Sequence, residues 1–291
     1  MKRSNPLLSI LFVLIASLAP LQVIEAAEKQ FSGKQGEVLW IEVPISHSES
    51  QVSGVLLKRK IPFFPLTNSK VAALVGIDMQ DPTGQQTLDI TIQSKDTTDH
   101  LTYAIDIIKE NYTVQHLKLP KNKVDLDAKT LKRVRREQKE MSAAFHNIGM
   151  QPLWDSAFLE PVNGTVTGRF GSRRVINGQK KRPHSGEDIA APKGTPVLAV
   201  NAGTVVAAVD HFFSGKGVII DHGVGLFSMY FHLSEINVEN GQTLQKGETL
   251  GKVGATGRAT GPHLHWGIRL NGARVNPYAL TTLPIGKSET P

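Results

Sequence analysis

The chain has 291 residues, of which 40% are apolar and 20% are charged, and it contains no cysteine. This length suits one large domain or two ordinary ones, and the composition argues against wholesale disorder. The lack of cysteine excludes disulfides, thiolate zinc sites, iron–sulfur clusters and a cysteine nucleophile, so a transition metal would need His, Asp or Glu ligands. The net charge of +7 indicates an anionic partner, which could be nucleic acid, a membrane surface or a cell-wall polyanion.

Residues 1–27 are predicted to be a secretory signal peptide. Lys2 and Arg3 precede an apolar run of 15 residues, Leu7 to Leu21, which is shorter than the roughly 20 that a membrane-spanning helix needs. Small residues at the end of the segment suit cleavage, so an uncleaved anchor is the less favoured interpretation. We therefore expect export to the periplasm or cell envelope, with secretion as the alternative. Export makes nucleic acid a poor partner and the anionic envelope a better one.

Residues 28–120 are predicted to form a small β-sandwich-like domain. Short stretches rich in β-branched residues recur along it, separated by turn signals such as Asp81-Pro82-Thr83-Gly84. Residues 121–154 are predicted to be a helical, basic linker, because apolar residues recur near helical spacing among many Lys and Arg. The favoured interpretation is a solvated helix between two domains, and contact with an anionic envelope polymer is the alternative.

Residues 155–280 predict a second, Gly-rich domain of short strands, followed by a polar tail at 281–291. The dipeptide Asn271-Gly272 is a strong signal for a hairpin turn. The fold class is therefore mainly β: an antiparallel-sheet domain preceded by a small β-sandwich-like domain and a linking helix. No long-period repeat is evident.

Two histidine groupings in the second domain have the spacing of metal ligands. His263 and His265 are two residues apart, so in a strand both imidazoles project from one face. His184 and Asp188 lie on an expected loop or strand bend, because Gly186 and the prolines that follow disfavour a helix. An imidazole with a carboxylate suits zinc, and one further His would leave a fourth position open for water. Each pair alone is weak, but together they favour a metal site.

Four ordered segments of residues 160–280 resemble the lysostaphin/LytM-type zinc metalloendopeptidases, which cut peptide cross-links in peptidoglycan. The segments are Gly168-Arg169-Phe170-Gly171-Ser172-Arg173, His184-Ser185-Gly186-Glu187-Asp188, Met229-Tyr230-Phe231-His232-Leu233-Ser234 and Gly257-Arg258-Ala259-Thr260-Gly261-Pro262-His263-Leu264-His265. The resemblance implies a LytM-like fold for this domain. It also implies that Zn²⁺ is bound by His184, Asp188 and His265, and that the catalytic His232 and His263 flank the water that the metal activates.

Two arginines are predicted to bind substrate. Arg258, in the Gly-rich loop, could contact a carboxylate of the stem peptide, with a solvated loop tip as the alternative. Some family members place a Tyr before the H-x-x-x-D motif, but no Tyr occurs between Trp154 and Asp188 here. Arg173, Lys180 or zinc alone could take over the role of that Tyr in stabilising the oxyanion.

Three other titratable residues are interpreted without catalytic roles. Glu187 neighbours Asp188 and should point away from the metal, to solvent or to a supporting position. His211 is expected to be a surface residue or a residue of the substrate groove, and His222 a turn residue.

The sequence thus predicts a zinc metalloendopeptidase that hydrolyses peptide cross-links of peptidoglycan, with His as general acid and base. The alternatives are a non-catalytic regulator that activates a cell-wall amidase, and an envelope-binding module. The position of the N-terminal domain also raises the hypothesis that it covers the groove before activation.

Overall fold

The computed structural model describes residues 29–146 and 149–285. The predicted signal peptide and the end of the predicted tail lie outside the described residues. The strands of the N-terminal part are β1 (Gln30–Lys34), β2 (Val38–Pro44), β3 (Gln51–Leu56), β4 (Arg59–Pro62), β5 (Phe64–Thr67), β6 (Lys70–Gly76), β7 (Gly84–Gln93), β8 (Thr98–Ile108) and β9 (Val114–Leu117).

The N-terminal part is a sandwich, as predicted. A five-stranded sheet of order β1-β8-β7-β3-β4 faces a three-stranded sheet of order β2-β6-β5. Alternation along the strands supplies the core: Val52 and Leu56 of β3 and Leu88, Ile90 and Ile92 of β7 point inward and are buried. Polar residues occupy the intervening positions and face solvent.

The smaller sheet is buried on both faces. Ala73 and Val75 of β6 belong to the sandwich core, whereas Ala72 and Leu74 belong to the core of the second half of the chain. The ring of Phe64 packs edge-on against Trp154 with centroids 5.4 Å apart. The two halves therefore share a layer, and the boundary expected near residue 120 does not separate two independent cores.

The predicted linker contains a short 3₁₀ turn (Lys121–Lys123) and helix α1 (Ala128–Ala143). Asp127 caps this helix by accepting a hydrogen bond from the backbone N–H of Thr130. The helix is not a free spacer. Val134 is buried, and Met141 packs on a cluster that contains Phe227. The basic side chains occupy the exposed face, as expected for an amphipathic surface helix.

The strands of the second half are short, as predicted. They are β10 (Thr165–Gly168), β11 (Arg173–Ile176), β12 (Gln179–Lys180), β13 (Gly186–Ala190), β14 (Pro196–Leu198), β15 (Gly203–His211), β16 (Gly215–Asp221), β17 (Leu226–Leu233), β18 (Glu235–Ile236), β19 (Thr243–Leu244), β20 (Thr249–Lys252), β21 (Leu264–Leu270) and β22 (Ala273–Val275), followed by the short helix α2 (Tyr278–Thr281). Asn271 and Gly272 both have positive φ in the β21–β22 turn, which fits the predicted hairpin.

The main sheet has the order β10-β13-β21-β17-β16-β15-β19, with β22 also paired to β21, and its pairings are antiparallel. One face packs on the shared layer through residues such as Leu264 and Trp266. The opposite face carries the cluster under α1 and, at one end, the histidines. This arrangement confirms the predicted fold class.

Two segments depart from the expected boundaries. Strand β9 lies within 28–120 but pairs in parallel with β11 of the second half, so it belongs structurally to the site region. Leu283 and Ile285 of the expected polar tail are 6% exposed and lie in the main core. The tail was predicted from its polar composition, which does not show that two apolar side chains anchor its first residues in the core. Across the described residues, no helix is both long and apolar enough to cross a bilayer.

Candidate metal centre and active site

Three of the predicted ligands converge at one end of the main sheet. His184 Nε2 lies 2.9 Å from Asp188 Oδ1 and 2.9 Å from His265 Nδ1. His265 Nδ1 lies 2.8 Å from the same carboxylate oxygen. All three side chains are buried. Two ring nitrogens and one carboxylate oxygen therefore point at a common centre.

Pairing of β13 with β21 produces this convergence. Asp188 and His265 are directly opposite one another in the register, so their side chains leave the same face of the sheet. His184 lies just before β13, and its backbone N–H donates to the carbonyl of Ser172. The prediction that His184 and Asp188 lie on a loop and strand agrees with the structure.

Glycine allows the chain to approach the ligands closely. A Cβ on Gly186 would lie 2.3 Å from the carbonyl oxygen of Trp266 and 2.8 Å from His265 Nε2. A Cβ on Gly168 would lie 2.5 Å from Asp188 Oδ2. All three distances are well below van der Waals contact, so any other residue at either position would displace a ligand.

The two predicted catalytic histidines lie beside this centre. His263 Nε2 is 3.7 Å from Asp188 Oδ1, and the rings of His232 and His263 are 4.8 Å apart. His232 Nδ1 donates to the carbonyl of Thr256 at 2.9 Å, and His263 Nδ1 donates to the carbonyl of Gly261 at 2.9 Å. Because a carbonyl only accepts, each Nδ1 carries the proton and each Nε2 is left to accept one.

His232 reaches the site through an irregular backbone. Strict alternation along β17 would place it on the same face as Tyr230, in the core. Instead, the β16–β17 register shifts between the pairs at Lys216 and Val218, and His232 has φ 66. A bulge with a left-handed residue turns the side chain toward His263. Non-glycine residues at positive φ concentrate at functional sites.

The electrostatics favour the protonation states that metal binding requires. Burial lowers the pKa of His184 to about 4, and burial together with His265 and His263 lowers that of His232 to about 3. Burial alone would raise the pKa of Asp188, but its close contacts with His184 and His265 hold it well below its usual range. At neutral pH His184 and His232 are therefore neutral and the carboxylate is ionised, as a bound cation needs.

Two clefts meet at this centre. One, of about 250 Å³, is lined by the Gly-rich loop, by Leu117 at the end of β9 and by Leu119 just after it. The other, of about 400 Å³, runs past Phe213 and Phe231. Of the described N-terminal residues, only those from β9 and the segment after it line these clefts. The sandwich itself packs elsewhere, so the hypothesis that it covers the groove receives no support.

The structure places the two predicted substrate-binding arginines differently. Arg258 lines both clefts. Arg173 is exposed and lines neither, whereas its neighbour Arg174 lines both and contacts the carboxylate of Asp188. The two neighbours differ because adjacent strand residues point to opposite faces. Lys180 is exposed and also lines neither cleft.

The three residues interpreted without catalytic roles lie away from the centre. Glu187 points away from Asp188 as expected, but it is 4% exposed rather than solvated. Burial raises its pKa. His222 is fully buried and bonds the carbonyl of Ala202 and the hydroxyl of Ser228, so it supports the core. His211 is buried under α1, 3.3 Å from Glu140, and lines neither of the two clefts at the centre.

The donor set fits zinc. Zinc accepts imidazole nitrogen and carboxylate oxygen, and catalytic sites commonly use three protein ligands. His184 Nδ1 donates to the carbonyl of Arg169 at 3.1 Å, which fixes the ring and leaves Nε2 as the ligand atom. His184, Asp188 and His265 also form the one cluster with ligand geometry found among the described residues.

Comparison with known proteins agrees with this geometry. The sequence profile of peptidase family M23 matches residues 182–277. A crystal structure from Pseudomonas aeruginosa, described as that of an M23 peptidase, is 32% identical and has a TM-score of 0.66. The match covers 85% of this chain and 94% of that one. The chain therefore belongs to peptidase family M23.

Curated relatives match over the site region. The peptidoglycan DD-endopeptidase ShyA of Vibrio cholerae is 41% identical over 112 residues, which is 38% of this chain and 26% of that protein. The DD-carboxypeptidase/endopeptidase Mpg of Neisseria meningitidis serogroup B is 40% identical over 123 residues, or 42% of this chain and 28% of that protein. The chain thus spans little more than a quarter of the length of these relatives.

Proposed function

We propose that this protein is a zinc-dependent endopeptidase that hydrolyses peptide cross-links of bacterial peptidoglycan. The observation that carries the proposal is the convergence of His184, Asp188 and His265 on one centre, with His232 and His263 beside it. The relatives support the substrate class, since ShyA is named a peptidoglycan DD-endopeptidase and Mpg a DD-carboxypeptidase/endopeptidase.

The five residues of the site have two kinds of role, metal binding and proton transfer. His184, Asp188 and His265 would hold the metal, which supplies a Lewis acid that polarises the scissile carbonyl and lowers the pKa of water. His232 and His263, each with a free Nε2, take a proton from the attacking water and return it to the leaving amine. The carbonyls that hold their Nδ1–H groups keep both rings in the tautomer this requires.

Asp188 also has a structural partner. Its second oxygen contacts the guanidinium of Arg174, whose Nε donates to Gln115 at 3.1 Å. This chain of contacts fixes the plane of the carboxylate, so that Oδ1 stays directed at the two imidazoles. Arg174 therefore acts by positioning a ligand, and β9 contributes to the site through Gln115.

The protein would act in the periplasm or cell envelope, where its substrate lies. The exposed basic face of α1 would favour anionic envelope polymers through long-range attraction. Two of its arginines are partly neutralised within the helix, by the pairs Arg133–Glu137 and Arg136–Glu140. The attraction would therefore be modest and sensitive to salt.

The test is digestion of purified, cross-linked peptidoglycan, with the fragments separated by chromatography and identified by mass. Wild-type protein should release peptides cut at the cross-link, a chelator should abolish this release, and added zinc should restore it. His265→Ala should be inactive, whereas His211→Ala, a buried histidine outside the centre, should remain active if folded.

The outcomes separate the alternatives. Cleavage that survives both the chelator and His265→Ala would refute the metal mechanism. Zinc binding without any cleavage, but with stimulation of an added amidase, would favour the regulator instead. The fragment masses would identify the bond that is cut.

A further inference from the structure

Two guanidinium groups face the junction of the two clefts. Arg174 and Arg258 line both clefts together with His232. Lys181 and Arg182 line the larger cleft as well. Asp188 is the one carboxylate among the lining residues of the described chain, so the groove as a whole is strongly cationic.

The two arginines differ in how their charge is balanced. Arg174 forms an ion pair with Asp188 through one terminal nitrogen and donates to Gln115 through Nε. Arg258 has no carboxylate within ion-pair distance among the described residues. Burial, and after it the positive charge of Arg174, lowers the pKa of Arg258. A half-buried cation without a counter-ion is unfavourable unless a ligand supplies one.

Arg258 is nevertheless held in place. Its guanidinium lies over the ring of Phe213, 4.2 Å from the centroid, and its backbone N–H donates to the carbonyl of Phe213 at 2.9 Å. Stacking fixes the plane of the guanidinium while leaving its edge available for hydrogen bonds. A planar fork of donors fixed in this way matches the two oxygens of a carboxylate.

We propose that Arg258 binds a free carboxylate of the substrate next to the scissile amide, so that the enzyme selects carboxylate-bearing cross-links over amidated or neutral ones. This inference rests on the proposed endopeptidase function. Arg258 would then determine specificity, and Arg174 would remain a positioning residue for Asp188.

The experiment uses two synthetic cross-linked peptide dimers, identical except that the carboxyl group beside the scissile amide is free in one and a primary amide in the other. Zinc-loaded wild type should hydrolyse the free acid with a kcat/KM at least 10-fold higher. Arg258→Gln should bring the ratio close to 1 by losing activity on the free acid, and Arg258→Lys should keep an intermediate ratio.

Arg135→Gln is the matched control, since it removes an exposed arginine of α1 and should leave the wild-type ratio. Thermal unfolding and zinc content of each variant would show that fold and metal site are intact. A wild-type ratio near 1, or an unchanged ratio in folded Arg258→Gln, would overturn the inference.

A binding measurement separates this inference from the proposed function. The amine-side product peptide, in its free-acid and amidated forms, is titrated into zinc-free wild type and Arg258→Gln and followed by NMR. The free acid should bind wild type at least 10-fold more tightly than the amide does, and Arg258→Gln should lose that difference. If neither wild type nor any variant hydrolyses either dimer, the endopeptidase proposal is refuted. If both peptides bind wild type equally well, the proposed role of Arg258 is refuted.

Discussion

The left-handed backbone at His232 allows a prediction in which stability and activity change in different ways. At φ 66, a residue with a Cβ costs about 1–2 kcal/mol relative to glycine. Elsewhere in a strand, glycine is less favourable than alanine by about 0.5–1 kcal/mol. The variant His232→Gly should therefore unfold with a free energy about 0.5–1 kcal/mol higher than that of His232→Ala, which is the reverse of the usual order.

Urea unfolding of the two zinc-free variants at pH 7 measures this difference directly. The matched pair is Thr249→Gly and Thr249→Ala, at an exposed position of β20 outside the residues of positive φ. There the alanine variant should be the more stable. Both His232 variants lack the imidazole, so the effect of losing it cancels in the difference between their unfolding free energies.

Activity should respond to both His232 variants alike. Loss of a general acid or base typically costs 10²- to 10⁴-fold, so both variants should lose peptidoglycan cleavage to that extent while they retain zinc. A His232→Ala variant at least as stable as His232→Gly would refute the strain argument. Full activity in either variant would refute the catalytic role of this side chain.

Three further predictions concern the metal, the core and the shared layer. Asp188→Asn should weaken zinc binding by more than the roughly 10- to 100-fold typical of losing a residue that only hydrogen-bonds a metal ligand. Chelator competition measures this affinity, and the control Asp210→Asn, at an exposed position, should bind zinc as wild type does. Burial lowers the pKa of His222 to about 4, so its stabilising contribution is present above pH 6.5 and is lost as the pH falls through 4. The difference in unfolding free energy between wild type and His222→Gln should thus shrink by about 3 kcal/mol from pH 7 to pH 4, and pH-independent values would contradict the buried neutral state. Finally, the fragment 155–291 should bind a hydrophobic dye and unfold readily, because it lacks the sheet that covers its core; a cooperative unfolding transition like that of the longer chain would show that the shared layer is dispensable.

Local pattern was sufficient for much of this protein. Recurring β-branched stretches predicted two regions of short strands, and the Asn-Gly pair predicted the β21–β22 hairpin. The two-residue spacing of His263 and His265 correctly placed both rings on one side. These features depend on a residue and its near neighbours, so one sequence contains the information.

Motif resemblance extended the prediction to His232, although strand alternation alone would have put that residue in the core. The bulge that redirects it arises from the pairing of β16 with β17, and no local signal marks it. The same limitation applies to Arg174, which was not predicted, since the sequence did not show which side of β11 faces the site.

The sequence by itself determined the chemistry available: a chain without thiols, with His and Asp at the spacing of metal ligands and an excess of positive charge. Only the tertiary structure decided how these groups combine. It brought Asp188 opposite His265, joined β9 to β11 beside the groove, and paired Arg174 with Asp188 while no carboxylate of the described residues pairs with Arg258. These outcomes depend on contacts between residues far apart in the chain, whose geometry is fixed by strand register and by burial of the shared layer rather than by neighbouring residues.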